Sequence, residues 1–466
     1  MIPIIIGSKS DMPLANKIKQ ELHNVYRILS VVRICSAHKA CLDLVKMLDQ
    51  YVKTDIQVYI TIAGKSNALS SLVDGYVPRP VISCPPITHE TMYDIYSSIS
   101  LPSHISPMTV LGYKNCALAA AKVYSLQNCK VLEYINRVHQ QNRLKLKVDD
   151  IIEKYNNHDD LIKRRLTEIN KLGSENNPNS IYNGKVRSLI PFTDNTLNMV
   201  ASDRLSAFDT HICNIPYKGE IINEISCWWF NKTKEIIPNH LINLSGNERN
   251  TMLVKKCKVF PIEIIVRAYM TGSTSTSIWM NYKNGVRNYC GHSLPDGMVK
   301  NQALPKLLIT PTTKGVTDEL IDEEWIVKNV MEKQQWEYIS QKALELFKFG
   351  QETMLKNGLI LVDTKYEFGL SGDGDILLVD ELHTPDSSRY WLHGTYESNL
   401  KAGKEPDNID KEYLRKWIKS NFKKQDLDVY KDKEEIPNIV SRDMIVETSK
   451  KYMQLYELIT EHEFNL

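Results

Sequence analysis

Along residues 1–127, short runs that are apolar at nearly every position alternate with stretches in which apolar residues recur every third or fourth place. The runs are Ile2 to Ile6, Ile28 to Ile34, Gln57 to Ala63, Pro80 to Ser83 and Met108 to Leu111, each of strand length. Strands without polar alternation are buried on both faces, the situation of a parallel sheet covered by helices on either side. Leu14/Ile18/Leu22 and Leu44/Leu48/Tyr51 provide the one-sided stripes expected of those helices. The pattern predicts an α/β, doubly wound parallel-sheet domain over 1–127.

From 128 to 176 the chain turns to Lys, Arg, Asp, Glu, Asn and Gln with spaced Leu and Ile, which predicts a helical, charged linker. It ends in a loop rich in helix breakers, Gly173 to Ser180, the expected domain boundary. Over 177–466 the pattern is mixed. Strand-like runs such as Leu359 to Val362 and Ile376 to Val379 are separated by long polar loops, with helices after about Lys411, so an α+β domain is expected.

Composition narrows the class. The 466 residues are 42% apolar and 24% charged, the balance of a globular protein. Lys and Arg number 58 against 56 Asp and Glu, a net charge of +2, so no global field gathers nucleic acid or anionic lipid. No run approaches the roughly 20 apolar residues of a membrane span. The opening Met1-Ile-Pro-Ile-Ile-Ile-Gly7 lacks a basic segment and cleavage site, so a cytoplasmic location is expected. The nine cysteines contain no Cys-x-x-Cys pair, which argues against a disulfide framework or zinc site, and Cys290-Gly-His292 reads as an isolated loop pair.

Candidate chemistry in the first domain sits in three loops, each following a predicted strand: Gly7-Ser8-Lys9-Ser10-Asp11, Ser36-Ala-His38-Lys39 and Ala63-Gly-Lys65-Ser66-Asn67. Ligands of doubly wound sheets bind beyond the carboxyl ends of the strands, so the three loops describe one pocket. Amides at a helix start beside Ser8, Ser10 and Lys9 make a natural phosphate site. The same residues also read as a plain turn in which Ser and Asp only cap, and spacing alone does not separate the two. An imidazole titrates near neutrality, which makes His38 the candidate for proton transfer.

In order, these loops and Pro80-Val-Ile-Ser-Cys-Pro-Pro86 resemble the phosphoribosylaminoimidazole (AIR) carboxylases, and the Ser-Ala-His-Lys and Ala-Gly-x-Ser-Asn loops resemble the class II enzymes that use CO2 directly. Lys65 stands where that pattern usually has Arg. The resemblance implies that Ser8, Ser10 and Asp11 hold the ribose phosphate, with Ser36 and Lys39 close by. It also implies that Lys65, Ser66 and Asn67 receive CO2, that the step needs no cofactor, and that the domain builds a homo-octamer. A small-residue helix start, Cys116-Ala-Leu-Ala-Ala-Ala121, adds a weaker motive for packing against another subunit.

In the second domain Val362-Asp363-Thr-Lys365-Tyr-Glu367-Phe-Gly369 alternates, which puts Asp363, Lys365 and Glu367 on one strand face. A turn-rich segment, Leu370 to Asp375, then leads to Val379-Asp380-Glu381, so Glu367 and Asp380 are expected to face each other across a hairpin. Close carboxylates need a cation between them, and oxygen-only ligation near a nucleotide is the chemistry of Mg²⁺. Tyr182-Asn-Gly-Lys185-Val-Arg187 is a weaker signal, a turn able to place a lysine on a phosphate or a surface hairpin.

With Ala201-Ser-Asp203-Arg204-Leu-Ser-Ala-Phe-Asp209, Ile215-Pro-Tyr-Lys-Gly219, Phe260-Pro-Ile-Glu263, Arg267, Thr271-Gly-Ser273, Thr310-Pro-Thr-Thr-Lys314 and Thr384-Pro-Asp-Ser-Ser-Arg389, these segments resemble SAICAR synthetase, an ATP-dependent ligase. That resemblance implies a two-lobed synthetase domain using ATP and Mg²⁺. Lys185 would contact ATP phosphates, and Phe260 to Glu263 would form the adenine-binding hinge. Glu367 and Asp380 would bind the metal, and Arg267, Ser273 and Arg389 would hold the substrate carboxyaminoimidazole ribotide (CAIR). Asp203, Arg204 and Lys365 would line the same cleft. The whole reads as a bifunctional purine-biosynthesis enzyme acting on AIR, CO2, CAIR and L-aspartate. The alternative is a monofunctional synthetase whose first half survives only as an oligomerisation scaffold.

Overall fold

A computed structural model describes residues 1–172, 181–184, 186–207, 210–244, 248–315, 318–422 and 440–466. The predicted boundary loop 173–180 and Lys185 lie outside the described residues. The chain forms two compact units, Met1–Arg143 and Leu144–Leu466.

In the first unit, β1 (Ile2–Ile6), β2 (Ser30–Ile34), β3 (Tyr59–Ile62), β4 (Val81–Ser83) and β5 (Met108–Thr109) form one sheet in the order β2-β1-β3-β4-β5. Every pairing is parallel. β1 and β3 are buried at every position, as uninterrupted apolar runs require. β2 differs from the expectation of burial on both faces. It lies at the sheet edge, and Ile34 is 52% exposed. The covering helices α1 (Met12–Asn24), α2 (Cys41–Val52) and α3 (Ala68–Tyr76) turn Ala15, Ile18 and Leu22, then Leu44, Met47 and Leu48, then Leu69 and Val73, toward the cores.

After a short α4 (Tyr96–Ile99), α5 (Tyr113–Ser125) returns along the sheet. Here the small-residue stripe corrects the sequence expectation. Cys116, Ala117, Ala120 and Ala121 are fully buried in the unit's own core together with Ala15, Ile18 and Leu22 of α1, so their small size serves close helix packing within the unit. The charged segment beyond is helical, as α6 (Cys129–Tyr155) and α7 (Asp159–Leu172). Its sparse apolar residues are core residues. Val131 and Ile135 belong to the core of the first unit, and Val148, Ile151, Tyr155 and Ile162 to that of the second.

Among the described residues the second unit has two small two-stranded sheets and two larger antiparallel ones. One runs in the order Leu241–Leu244, Thr251–Lys255, Thr196–Ala201, Arg187–Thr193, Tyr182–Asn183. The other is built on the long strand Leu359–Leu370, which pairs with Lys258–Val259, Ile262–Tyr269, Ile376–Val379 and Ser388–Leu392. Helices Lys218–Thr233, Lys333–Lys356 and Arg442–Thr460 bury their apolar faces beneath these sheets. Gly219 opens the first of them against the backbone of Ala201, where an added Cβ would lie 2.7 Å from the Ala201 carbonyl oxygen.

Candidate active sites

In the first unit the strand order reverses at β1, with β2 on one side and β3 on the other, and ligands of such sheets bind at that switch point. The loops after these three strands start together: Gly7 N–H donates to Ile62 O and Cys35 N–H to Ile6 O, both at 2.9 Å. In the first loop Asp11 Oδ2 accepts from the Ser8 N–H at 3.1 Å and the Ser8 hydroxyl at 3.2 Å, and Ser10 is exposed. Burial pushes the Asp11 carboxyl up in pKa, against those two bonds. In the second loop the Lys39 N–H donates to Ser36 Oγ at 3.3 Å, leaving the His38 and Lys39 side chains exposed at the rim.

The third loop is held from below by residues that the sequence reading did not single out. Lys65 has a left-handed backbone (φ 54°), and its N–H donates to Asp94 Oδ2 at 2.9 Å while its carbonyl accepts from Ser97 Oγ. The side chains of Lys65 and Ser66 are exposed. Asn67 is different: its amide donates to Ser83 Oγ and Ser98 Oγ at 2.8 Å, and its oxygen caps α3 through Ser70. These side-chain hydrogen bonds turn inward, so Asn67 holds the loop in place.

In the second unit the functional side chains surround two cavities. The smaller, about 130 Å³, is a slot between the two sheets, walled by Leu189, Leu197, Met199, Val254, Val259 and Val379, with Lys314, Glu367 and Asp380 at its polar end. The side chain of Phe260, expected in an adenine hinge, is buried in the hydrophobic core, and its chain neighbours Cys257 and Val259 border the slot together with Lys255. The larger cavity, about 320 Å³, is polar and includes Glu263, Arg267, Asp363, Lys365, Arg389 and Lys411.

Lys365 lies at the centre of the acidic cluster. Its ammonium donates to Glu367 Oε1 at 2.6 Å and to Glu263 Oε1 and Asp380 Oδ2 at 3.3 Å. Lys314 bonds the other oxygen of Glu367, and Arg187 reaches Glu381 Oε2 at 2.9 Å and Asp380 Oδ1 at 3.5 Å. Burial pushes the Asp380 carboxyl up in pKa, but Lys365, Arg187 and Lys314 more than offset it and hold Asp380 well below the usual carboxylate range. Burial likewise disfavours the Lys365 charge, and the surrounding carboxylates override it. The expected hairpin is present, with Glu367 paired to Val379, and Asp380 turns back at φ 67°.

Among the described residues no group of three or more His, Cys, Asp or Glu is drawn together as metal ligands, because these carboxylates are gathered round an ammonium. The donors are nevertheless all anionic oxygens, which suits Mg²⁺.

At the far end of the polar cavity, Arg267 Nη1 lies 3.2 Å from Asp363 Oδ2, and Arg389 bonds the same oxygen. Two guanidiniums converge on this carboxylate, with Glu412 and Asp410 also acting on Arg389, and their paired donors suit a phosphate. Ser273 Oγ accepts from Lys419 at 2.6 Å and donates to Glu412 at 3.3 Å. Asp203 and Arg204 are not among the lining residues of either cavity. Asp203 caps the helix start at Gly219 N–H (2.8 Å), and Arg204 holds the Gly184 carbonyl at 2.9 Å, so both support neighbouring loops.

A doubly wound domain with a polar switch point, followed by an inter-sheet slot that opens on a carboxylate–lysine cluster and a polar cavity of mixed charge, defines a fusion of a small-molecule enzyme with a nucleotide-using ligase. Residues 180–431 match the SAICAR synthetase family and residues 1–145 the AIR carboxylase family. The chain is 46% identical over 329 residues to the chloroplastic phosphoribosylaminoimidazole-succinocarboxamide synthase of Arabidopsis thaliana, an alignment covering 69% of this chain and 78% of that protein. It is 48% identical over 285 residues to the synthase of that name in Legionella pneumophila, covering 61% and 88%. The solved SAICAR-synthase of Saccharomyces cerevisiae, complexed with SAICAR, superposes with a TM-score of 0.53 at 29% identity, covering 63% of this chain and 98% of that one. The chain belongs to the SAICAR synthetase family and carries an AIR carboxylase domain ahead of it: it is a bifunctional enzyme of purine biosynthesis.

Proposed function

We propose that the first unit carboxylates AIR with CO2 itself and that the second joins the product CAIR to L-aspartate through an acyl phosphate. In the first step the enamine carbon C4 of the aminoimidazole attacks CO2, and the C4 proton then leaves to restore aromaticity. His38, at the rim of the switch-point loops, takes that proton. Ser8, Ser10 and Asp11 hold the phosphate, with Ser36 and Lys39 beside them, and Lys65 and Ser66 face the developing carboxylate. CAIR, made by one half and consumed by the other, is generated at a raised local concentration for the second step.

In the second step a CAIR carboxylate oxygen attacks the γ-phosphorus of ATP and ADP leaves. The aspartate amine then attacks the acyl carbon, phosphate departs, and the amine loses its proton. One observation supports this reading above the others: Lys365 and Glu263 line the polar cavity, while Glu367 and Asp380, bonded to the same lysine, line the apolar slot. A nucleotide in the slot and a carboxylate in the cavity therefore meet at one cluster. Lys365 neutralises the charge on the transferring group, and Arg267, Arg389 and Ser273 anchor the ribotide phosphate. Glu367 and Asp380 would hold Mg²⁺, which supplies Lewis-acid neutralisation of the ATP phosphates. Lys185 is the proposed phosphate-binding lysine.

We place the protein in the cytoplasm, in keeping with nine cysteines that are all unpaired, as in a reducing compartment. Among the described residues no helix is long and apolar enough to cross a membrane. We further propose a homo-octamer built on the first unit, where Leu29, Leu42 and Tyr93 are 68%, 77% and 82% exposed. The acyl phosphate is tested with CAIR carrying ¹⁸O in its carboxylate. One labelled oxygen should appear in the released phosphate, and unlabelled phosphate would exclude the route.

A further inference from the structure

Between the phosphate end and the acidic cluster, the polar cavity is lined by Asp386, Ser387 and Lys411. Two ammonium groups converge here on one carboxylate. Asp386 Oδ2 lies 2.7 Å from the ammonium of Lys218, which is fully buried, and Asp386 Oδ1 accepts from the Tyr452 hydroxyl at 2.7 Å. Lys411 reaches the same Oδ2 only at 4.0 Å. One carboxylate thus faces two ammonium groups and a phenol, and Lys218, shut away from solvent, holds the closer place. The other cations of the cavity have nearer anions: Arg267 and Arg389 share Asp363, Lys365 has three carboxylates, and Arg415 has Glu412 at 3.5 Å. Burial lowers the Lys411 pKa, the neighbouring cations Lys218 and Arg415 lower it further, and Asp386 and Glu381 offset this only in part.

An under-compensated cation at a cavity wall is stabilised by an anion arriving from the cavity. The reaction brings three kinds of anion to this unit: ATP phosphates, the phosphate and carboxylate of the ribotide, and the two carboxylates of the amine donor. The first have the slot, and the second have the arginine pair and the Lys365 cluster. We propose that Lys411, backed by the Lys218–Asp386 pair, binds a carboxylate of L-aspartate and so sets the amine beside the activated carbonyl. This assignment rests on the ligase reading above.

The test is steady-state kinetics of SAICAR formation with CAIR supplied, comparing Lys411→Met, Lys411→Gln and Lys411→Arg with the unaltered chain. Folding is followed by tryptophan fluorescence, since all seven tryptophans lie between Trp228 and Trp417. Loss of a charge-assisted contact should raise the KM for aspartate about tenfold or more in the neutral variants. The KM values for CAIR and ATP should stay within about twofold, and Arg should restore most of the aspartate affinity. An unchanged aspartate KM in either neutral variant that folds, or a rise in the CAIR KM instead, overturns the assignment, as does unfolding of both neutral variants, which would make Lys411 a structural charge. Absence of SAICAR from the unaltered enzyme would instead remove the ligase reading itself.

Discussion

Lys365 Nζ lies 3.3 Å from Asp380 Oδ2 across the hairpin turn and 2.6 Å from Glu367 Oε1 on its own strand. The lysine therefore occupies the point where two carboxylates, one from each arm of the hairpin, could share a divalent ion. The ammonium offsets the mutual repulsion of these acids and helps hold Asp380 well below the usual carboxylate range.

Replacing either acid by its amide removes a charged oxygen ligand from a hard cation. Glu367→Gln and Asp380→Asn should each raise the Mg²⁺ needed for half-maximal SAICAR formation by about tenfold or more, while AIR carboxylation stays unchanged. A Mg²⁺ titration at saturating ATP checks this, and an unshifted curve removes the residue from the metal shell.

His38→Asn should abolish CAIR formation from AIR and leave ATP-dependent conversion of supplied CAIR intact. The two activities reside in separate compact units, so a selective loss is expected. Substantial carboxylation by the variant would take the proton-transfer role from His38.

Burial pushes His383 down to about 3 in pKa. The ring is packed against Trp229, with Nε2 bonded to the Tyr366 hydroxyl at 2.6 Å. The folded unit thus keeps His383 neutral where the unfolded chain, at about 6.5, takes a proton. Its contribution is complete above about pH 6.5 and is lost at about 1.4 kcal/mol per pH unit below it. Urea unfolding followed by tryptophan fluorescence should lose about 2 kcal/mol more between pH 7.5 and 5 in the unaltered chain than in His383→Gln. Equal losses would contradict a neutral buried ring.

Gly219→Ala places a methyl group against the Ala201 carbonyl and disturbs the cap made by Asp203. Overpacking of this kind costs roughly 1–3 kcal/mol. The fluorescence-detected urea midpoint should fall accordingly, and an unchanged midpoint would mean that the helix start yields without cost.

What was legible in the sequence was what period and adjacency control. The alternation of Asp363, Lys365 and Glu367 settles their common face, and the length of the turn brings Asp380 to the same place. The apolar runs foretold the parallel sheet. They did not reveal that β2 is an edge, because an apolar strand reads alike at an edge and in the centre when one sheet face remains covered. The stripe at Cys116 to Ala121 failed as an interface signal for a related reason: small residues announce a close approach without naming the partner, which is α1 of the same unit. That the Phe260 side chain turns to the core could not be read from the sequence, because a strand-end residue turns either to a slot or to a core. Arg187, Lys314 and Asp386 stand in recognised motifs without an assigned role and Lys411 in none, since long-range folding alone brings them to the cavities. Arg187, Lys314 and Asp386 each lie in a polar block with Gly, Ser or Thr, whereas no such block flanks Lys411.

One chain carries both enzymes, the carboxylase domain ahead of the synthetase domain. The most direct measurement supplies AIR with bicarbonate and carbonic anhydrase, then adds ATP, Mg²⁺ and L-aspartate. CAIR should form before ATP is added, and SAICAR only afterwards. A chain that makes SAICAR from supplied CAIR but yields no CAIR from AIR would contradict the claim and leave the first unit as a scaffold.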